Sequence, residues 1–330
     1  MSTMREVAAR AGVSAKTVSR VLRGEGYASE DARARVLAAV DELNYVPNLL
    51  AVTFRAGRDA AVGVAVPDIA DPYFAEIVQA VESVARQRNI AVIVTSLGYD
   101  GSREQAAVET LLQRQVLGLI ACPVSTDQSY LKSWLLRTPV VFVDRSPGRI
   151  TADSVIEDDR GGAYEATTHL IGHGHRRVAF FGDPPTVTTT AKRLEGYLAA
   201  LDDAGIPRDD DLVRAEVTDA GSAAEAVRGV GALSRPPTAI FSSNARCTLR
   251  LIPALANAAG PRLAVVSFGD FPLADALTPP VTVIDQNASA LGAFAAERLF
   301  ARIADPDKRM RRRTVLPVHL IERESCRLDI

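Results

Sequence analysis

In the stretch AGVSAKTVSRVLRG, which starts at Ala11, a Gly-Val-Ser corner is followed by Ala15, Lys16, Thr17, Ser19 and Arg20. At helical spacing these residues place cationic and hydroxyl donors on one short helix. A guanidinium such as Arg20 can hold guanine O6 and N7 with two parallel hydrogen bonds. Lys16 can do the same less rigidly, or take a phosphate. Thr3, Ser14, Thr17, Ser19 and Asn48 carry hydroxyl or amide groups suited to phosphate contacts. The same residue types also suit the solvated face of an ordinary helical head, so on their own they leave both readings open.

A second constellation is His169, His173 and His175. The first two lie one helical turn apart, a usable metal-ligand spacing. Gly172 and Gly174 end that helix and would splay the third ligand, and histidines near a helix C-terminus also suit its dipole. A structural role is therefore expected, with no metal and no cofactor. The acids Asp209, Asp210 and Asp211 follow Gly205 and Pro207 and read as a solvated loop. Asp158 and Asp159 would point to opposite faces if they lay on a strand. No phosphate-binding glycine loop or nucleophile elbow is present, so no enzyme is expected.

These residues need elements to hold them. Thr3 and Glu6 form a capping-box pattern for a first helix, with Val7, Ala8 and Ala11 on one face and Gly12 as its stop. Ser14 caps a second helix that turns Val18, Val21 and Leu22 inward. Ser29 opens a third, with Glu30 and Asp31 in its first turn and Val36, Leu37, Val40 and Leu43 inside. Residues 1–46 thus read as one helical head. Residues 47–59, NLLAVTFRAGR and its flanks, suit two to three helical turns, too few to persist unaided. They read as a conditional hinge.

From residue 60 the pattern changes to strands alternating with amphipathic helices. AVGVAVPDI, AVIVTSL, GLIACPV and VVFVDR form one series, and RVAFFGD, TAIFSSN, LAVVSFGD and VTVIDQ a second. Such alternation predicts doubly wound parallel sheets, here in two lobes. Ligands bind such sheets beyond the carboxyl ends of their strands. Asp68, Asp144, Asp183, Asn244, Asp270 and Gln286 end strands here.

The bulk numbers agree. At 330 residues, with 47% hydrophobic and 24% charged, the chain is ordinary globular protein of about two to three domains. Nine basic against six acidic residues up to Arg58 give a +3 head on a −5 body, within a net charge of −2. That asymmetry suits a nucleic-acid module joined to something else. Three cysteines, Cys122, Cys247 and Cys326, offer no disulfide framework and no zinc spacing. The absence of a leader or a membrane-spanning run makes a cytoplasmic protein with no membrane partner the expectation.

VAARAGVSAKTVSRVL followed by LNYVPN resembles the head of the LacI/GalR, lactose-repressor type, family of transcriptional regulators. The resemblance continues in order through VPDIADPYFAEI, VVFVDR, HLIGHGHRRVAFFG, KRLEGYLAAL, PTAIFSSN, LTPPVTVIDQ and VLPVHLIERES. It implies an all-α helix-turn-helix head and an α/β two-lobed core like that of periplasmic binding proteins. The chain would cross between lobes three times, with lobe 1 at about 60–157 and 287–318 and lobe 2 at about 158–286 and 319–330. The implied function is a repressor, a homodimer or tetramer, on a pseudo-palindromic double-stranded DNA operator. A small sugar-like effector would release it. A co-repressed regulator, which needs its ligand to bind DNA, fits the same residues. A metal-dependent enzyme built on the histidines and a solute-transport protein fit them less well.

By the resemblance, Ala15, Lys16 and Arg20 read base edges, and Ala51 and Phe54 belong to the hinge that enters the minor groove. Phe54 replaces the family's usual Leu; Phe is also a known wedge. Tyr73, Phe74, Asp144, Arg193, Asn244, Asp270 and Gln286 fall where the family contacts its ligand. Two departures stand out: Asn244-Ala245 where many relatives have Asn-Asp, and Gly269-Asp270 where they have Asp-Asp. With those acids missing, the expected ligand is a smaller or less hydroxylated sugar-like metabolite, or one with an anionic group for Arg193.

Overall fold

The computed structural model describes residues 4–23, 28–43, 61–258 and 261–327; for residues 4, 5, 19, 22 and 23 it describes the backbone alone. Thr3, Asn48, Ala51, Phe54 and the rest of the 47–59 hinge lie outside the described residues, as do the side chains of Ser19 and Leu22. The chain forms two compact units, residues 1–60 and 61–330.

In the first unit three helices pack on each other: α1 (Met4–Ala11), α2 (Ala15–Arg23) and α3 (Glu30–Glu42). Gly12, at φ +63°, ends α1. Ser14 Oγ accepts the Thr17 amide at 3.1 Å to start α2, and Ser29 Oγ accepts that of Ala32 at 3.3 Å to start α3. Val7, Ala8, Ala11, Val18, Val21, Val36 and Ala39 form the core. Leu37 departs from expectation and is 47% exposed. The inner stripe of α3 runs Val36, Ala39, Val40, Leu43, and Leu37 stands about 100° off it.

The second unit carries two six-stranded sheets. The first series runs β1 (Ala61–Val66), α4 (Pro72–Arg86), β2 (Ala91–Ser96), α5 (Glu104–Leu112), β3 (Leu119–Ala121), β4 (Val140–Val143) and β5 (Asp153–Glu157). Then come α6 (Asp159–Gly172), β6 (Val178–Gly182), α7 (Thr188–Asp203), β7 (Val213–Ala215), α8 (Ala220–Gly231), β8 (Ala239–Ser242), α9 (Ala245–Ala256), β9 (Ala264–Phe268) and β10 (Thr282–Asp285). The chain closes with α10 (Ala288–Ala304), β11 (Arg313–Leu316) and β12 (His319–Ile321).

The sheet of lobe 1 has the order β11-β5-β4-β3-β1-β2 and is wholly parallel. Lobe 2 has the order β12-β10-β9-β8-β6-β7, with only β12 antiparallel. Helices cover both faces, which is why β1 and β6 are apolar and buried along their whole length. The chain changes lobe after β5, after β10 and after β11. Strands β5, β7, β11 and β12 are additional to the two series read from the sequence.

Helices α4 and α10 share one face of the lobe 1 sheet, burying Ile77, Val81, Leu291 and Leu299 with Val62 and Val141. Their close approach depends on Gly292. A Cβ there would lie 2.5 Å from the Ile77 carbonyl oxygen and 3.0 Å from the Ala80 Cβ. Gly292→Ala is therefore expected to cost about 1–3 kcal/mol by overpacking. Urea unfolding checks this; an unchanged midpoint would mean that the two helices part without strain. In lobe 2, α6 and α7 bury Tyr197 against Phe180, Phe241 and Phe268.

Candidate functional site

On α2, burial of Val18 and Val21 against α1 and α3 turns the other face outward. Ala15 and Lys16 are exposed and Arg20 is partly so. The Thr17 hydroxyl shares a 2.9 Å hydrogen bond with Ser14 Oγ. Arg10 and Glu42 tie α1 to α3 with an exposed ion pair at 2.7 Å. The face carries a small residue and two cations in its first two turns. A helix about 10–12 Å across matches a major groove about 12 Å wide.

In the second unit the carboxyl ends of both sheets face one cleft, with a cavity volume of about 50 Å³. Lobe 1 supplies Asp71, Tyr73, Phe74, Tyr99, Asp144 and Arg145; lobe 2 supplies Asp183, Thr189, Arg193, Asn244, Ala245, Arg246 and Gln286. Six of the seven expected ligand residues meet here. Asp270 does not: Arg323 holds both its carboxylate oxygens, at 3.1 and 2.6 Å, away from the cleft lining.

The strand and helix ends build the site. Asp71 caps α4 by accepting the Tyr73 amide at 3.1 Å, which sets Tyr73 and Phe74 at the cleft. The Tyr73 hydroxyl faces two carboxylates, Asp144 at 3.1 Å and Glu157 at 2.9 Å. Gln286 Nε2 donates to the same Glu157 oxygen at 2.6 Å. Burial, reinforced by the neighbouring Asp144 charge, pushes the Glu157 carboxyl up to about 8. It therefore carries a proton at neutral pH. Burial and the same two acids hold the Tyr73 phenol well above its ordinary range.

Arg193 comes from α7. Its Nε and Nη2 both donate to Asp159 Oδ1 at 2.8 Å, and Nη1 donates to the Ser243 carbonyl at 2.6 Å. Its guanidinium lies 3.8 Å from the Phe268 ring centre. Burial outweighs this cation and pushes Asp159 up to about 6. Asp158 and Asp159 sit at the head of α6 and not on a strand. Asp158 Oδ1 caps the helix through the Gly161 amide at 2.9 Å, and Asp159 turns inward to Arg193.

Asn244 lines the cleft, yet its amide is engaged. Oδ1 caps α9 through the Cys247 amide at 2.7 Å, and Nδ2 donates to Asp183 at 3.0 Å. Arg246 chelates Asp183 at 2.7 and 2.8 Å and stacks 3.6 Å from the ring centre of Tyr99 on the opposite lobe. Sequence reasoning missed Asp71, Tyr99, Arg145, Thr189 and Arg246, and with them Glu157 beneath the cleft. A signal existed only for Asp71, which stands as an N-cap before Pro72. The absent acid at 269 has a local cause. Gly269 has φ +88°, and a Cβ there would meet Gln286 Oε1 at 2.8 Å.

The histidines separate. His175 Nδ1 meets Thr238 Oγ1 at 2.8 Å, and Nε2 meets the Cys326 carbonyl at 3.1 Å. His169 and His173 face the Cys326 sulfur instead. All three cysteines are buried free thiols. Among the described residues, no helix is long and apolar enough to cross a membrane.

Residues 3–48 match the family described as bacterial regulatory proteins, lacI family. Residues 59–324 match periplasmic binding proteins and sugar binding domain of LacI family. The ribose operon repressor of Escherichia coli strain K12 is 32% identical over 99% of this chain and all of its own length. The NTD biosynthesis operon regulator NtdR of Bacillus subtilis strain 168 is 30% identical over 98% of this chain and all of its own. Among solved structures, the Lac repressor dimer bound to operator and the anti-inducer ONPF has a TM-score of 0.87 and 28% identity, covering 99% of both chains. With family matches over both units and full-length relatives at this identity, the chain belongs to the LacI family of bacterial regulatory proteins.

Proposed function

We propose that the chain is a ligand-responsive transcriptional repressor and not an enzyme. It acts in the cytoplasm as a dimer on a pseudo-palindromic operator and is released by a small sugar-like effector. The observation that carries this reading is the combination in one chain of a helix-turn-helix with outward Lys16 and Arg20 and an interlobe cleft lined by polar side chains of both lobes. Two heads on a two-fold dimer read two half-sites. Ser14, Thr17, Ser19, Thr3 and Asn48 position the heads on phosphates; Ala51 and Phe54 work in the hinge. A relative named for a ribose operon and one solved on its operator support the same reading.

The effector is read as neutral and hydroxyl-bearing. Each arginine at the cleft already has an acid: Arg145 with Asp144, Arg193 with Asp159, Arg246 with Asp183. An anionic ligand is therefore not needed for charge balance. Asp71, Asp144 and Asp183 supply acceptors that the sequence departures at 245 and 269 appeared to remove. A ligand touching both lobes shifts the hinge only through unequal affinity for two lobe arrangements.

Operator duplexes selected from a random pool, titrated with pentoses, hexoses and polyols, test this reading. Release by one sugar supports it, and tighter binding with ligand would indicate co-repression. No sequence preference in the selected pool would overturn the reading. In the same assay Arg20→Ala is expected to cost about 1–3 kcal/mol on the selected operator and less on random duplex. Equal losses on both would assign Arg20 to phosphate.

A further inference from the structure

At the end of α6, His169 and His173 lie one turn apart. The segment after β12 brings Glu322 and Cys326 against them. Cys326 Sγ lies 3.2 Å from His169 Nε2 and 3.6 Å from His173 Nε2, and His173 Nε2 lies 3.6 Å from Glu322 Oε1. All four donor atoms fall within 4.8 Å of one another. Zinc bonds of about 2.0–2.3 Å set tetrahedral edges of about 3.3–3.6 Å. The three close pairs are already near these values. A thiol has one proton, yet two imidazole nitrogens face this sulfur.

We propose that His169, His173, Glu322 and Cys326 form a four-ligand zinc site that clamps the C-terminal segment onto the end of α6. Two neutral imidazoles, one thiolate and one carboxylate balance a divalent charge, and this mixed nitrogen, sulfur and oxygen set suits zinc. Four protein ligands leave no open position, so the site is structural and not catalytic. The sulfur is fully buried while the Glu322 side chain is 51% exposed, which gives the ion a way in.

The surroundings hold the ligands in place. His175 stays out of the set because both of its nitrogens are engaged. Its Nε2–H donates to the Cys326 carbonyl and fixes the loop that carries the sulfur. The Thr282 hydroxyl donates to Sγ at 3.5 Å, and Ser325 and Val265 pair backbone to backbone at 2.9 Å. The cluster lies at the amino ends of β8, β9 and β10, whereas the cleft lies beyond their carboxyl ends. The pattern was hidden in sequence because 153 positions separate His173 from Cys326.

Full-length protein stripped by a chelator is the sample, and cobalt(II) is the probe. One cobalt per chain is expected, with a thiolate-to-cobalt charge-transfer band and tetrahedral d–d absorption. Zinc should displace it and raise the unfolding temperature. Cys326→Ser should abolish the charge-transfer band. His173→Gln, at a half-buried position that folding tolerates better, removes a direct ligand and should weaken binding by more than about 100-fold, beyond what changes at outer-shell partners cost. Glu322→Gln should weaken it as well. Cobalt bound without a thiolate band, no cobalt bound, or unchanged affinity in a folded His173→Gln protein would overturn the proposal.

Discussion

Glu157→Gln is expected to leave stability near that of the parent at pH 5 and to raise it by several kcal/mol at pH 9. A carboxyl held at about 8 in the folded chain titrates near 4.3 when unfolded. Because the folded value is the higher one, the folded state binds more protons across that interval. Stability is therefore fully present below about 4.3 and is lost as pH rises through about 8, by roughly 5 kcal/mol in all. Glutamine cannot ionise, and its amide oxygen still accepts from Tyr73 and Gln286. Urea midpoints at pH 5, 7 and 9 check this. Parallel pH profiles for parent and variant would show that Glu157 ionises in the folded chain as it does in water.

Arg193→Ala should have the second large effect, in two separate readouts. The side chains of Arg193 and Asp159 are 5% and 1% exposed, so removing the cation strands a buried carboxylate. Such losses cost about 3–5 kcal/mol. Asp159, already up at about 6, would rise further, so protonation rescues the variant in acid. The deficit should be smaller at pH 5 than at pH 8. Operator binding should survive at temperatures where the variant is folded, while release by the effector should be lost. A folded variant that still responds would move the effector contact to other cleft residues.

Much of the cleft could be read from sequence because strand ends announce it. Asp144, Asn244 and Gln286 each follow an apolar run, and all three line the cleft. Asp68 and Asp270 carry the same signature yet do other work. Asp68 Oδ1 accepts the Ala70 amide at 2.9 Å, and Asp270 is held by Arg323, which lies 53 positions later. Local pattern cannot see a partner that far away. Arg246 and Tyr99 stayed hidden for the same reason, since each takes its meaning from the opposite lobe. In the head, the stripe at Val36 was legible and Leu37 was misplaced, because it stands about 100° from the inner stripe of Val36, Ala39, Val40 and Leu43. Strand β7, only Val213–Ala215, is too short to give a period.

The three crossings between lobes also dictate the order in which a growing polypeptide can be completed. The sheet of lobe 1 begins at Ala61, but α10 and β11, which cover and extend it, are encoded after residue 287. A ribosome adding about 5–20 residues per second spends roughly 6–26 s on residues 158–286. Throughout that interval Ile77, Val81 and Val141 have been made while Leu291 and Leu299, which seal them, have not. The nascent chain thus carries a half-built apolar layer through more than a third of its synthesis, and this is the stage at which it most needs shielding from its neighbours.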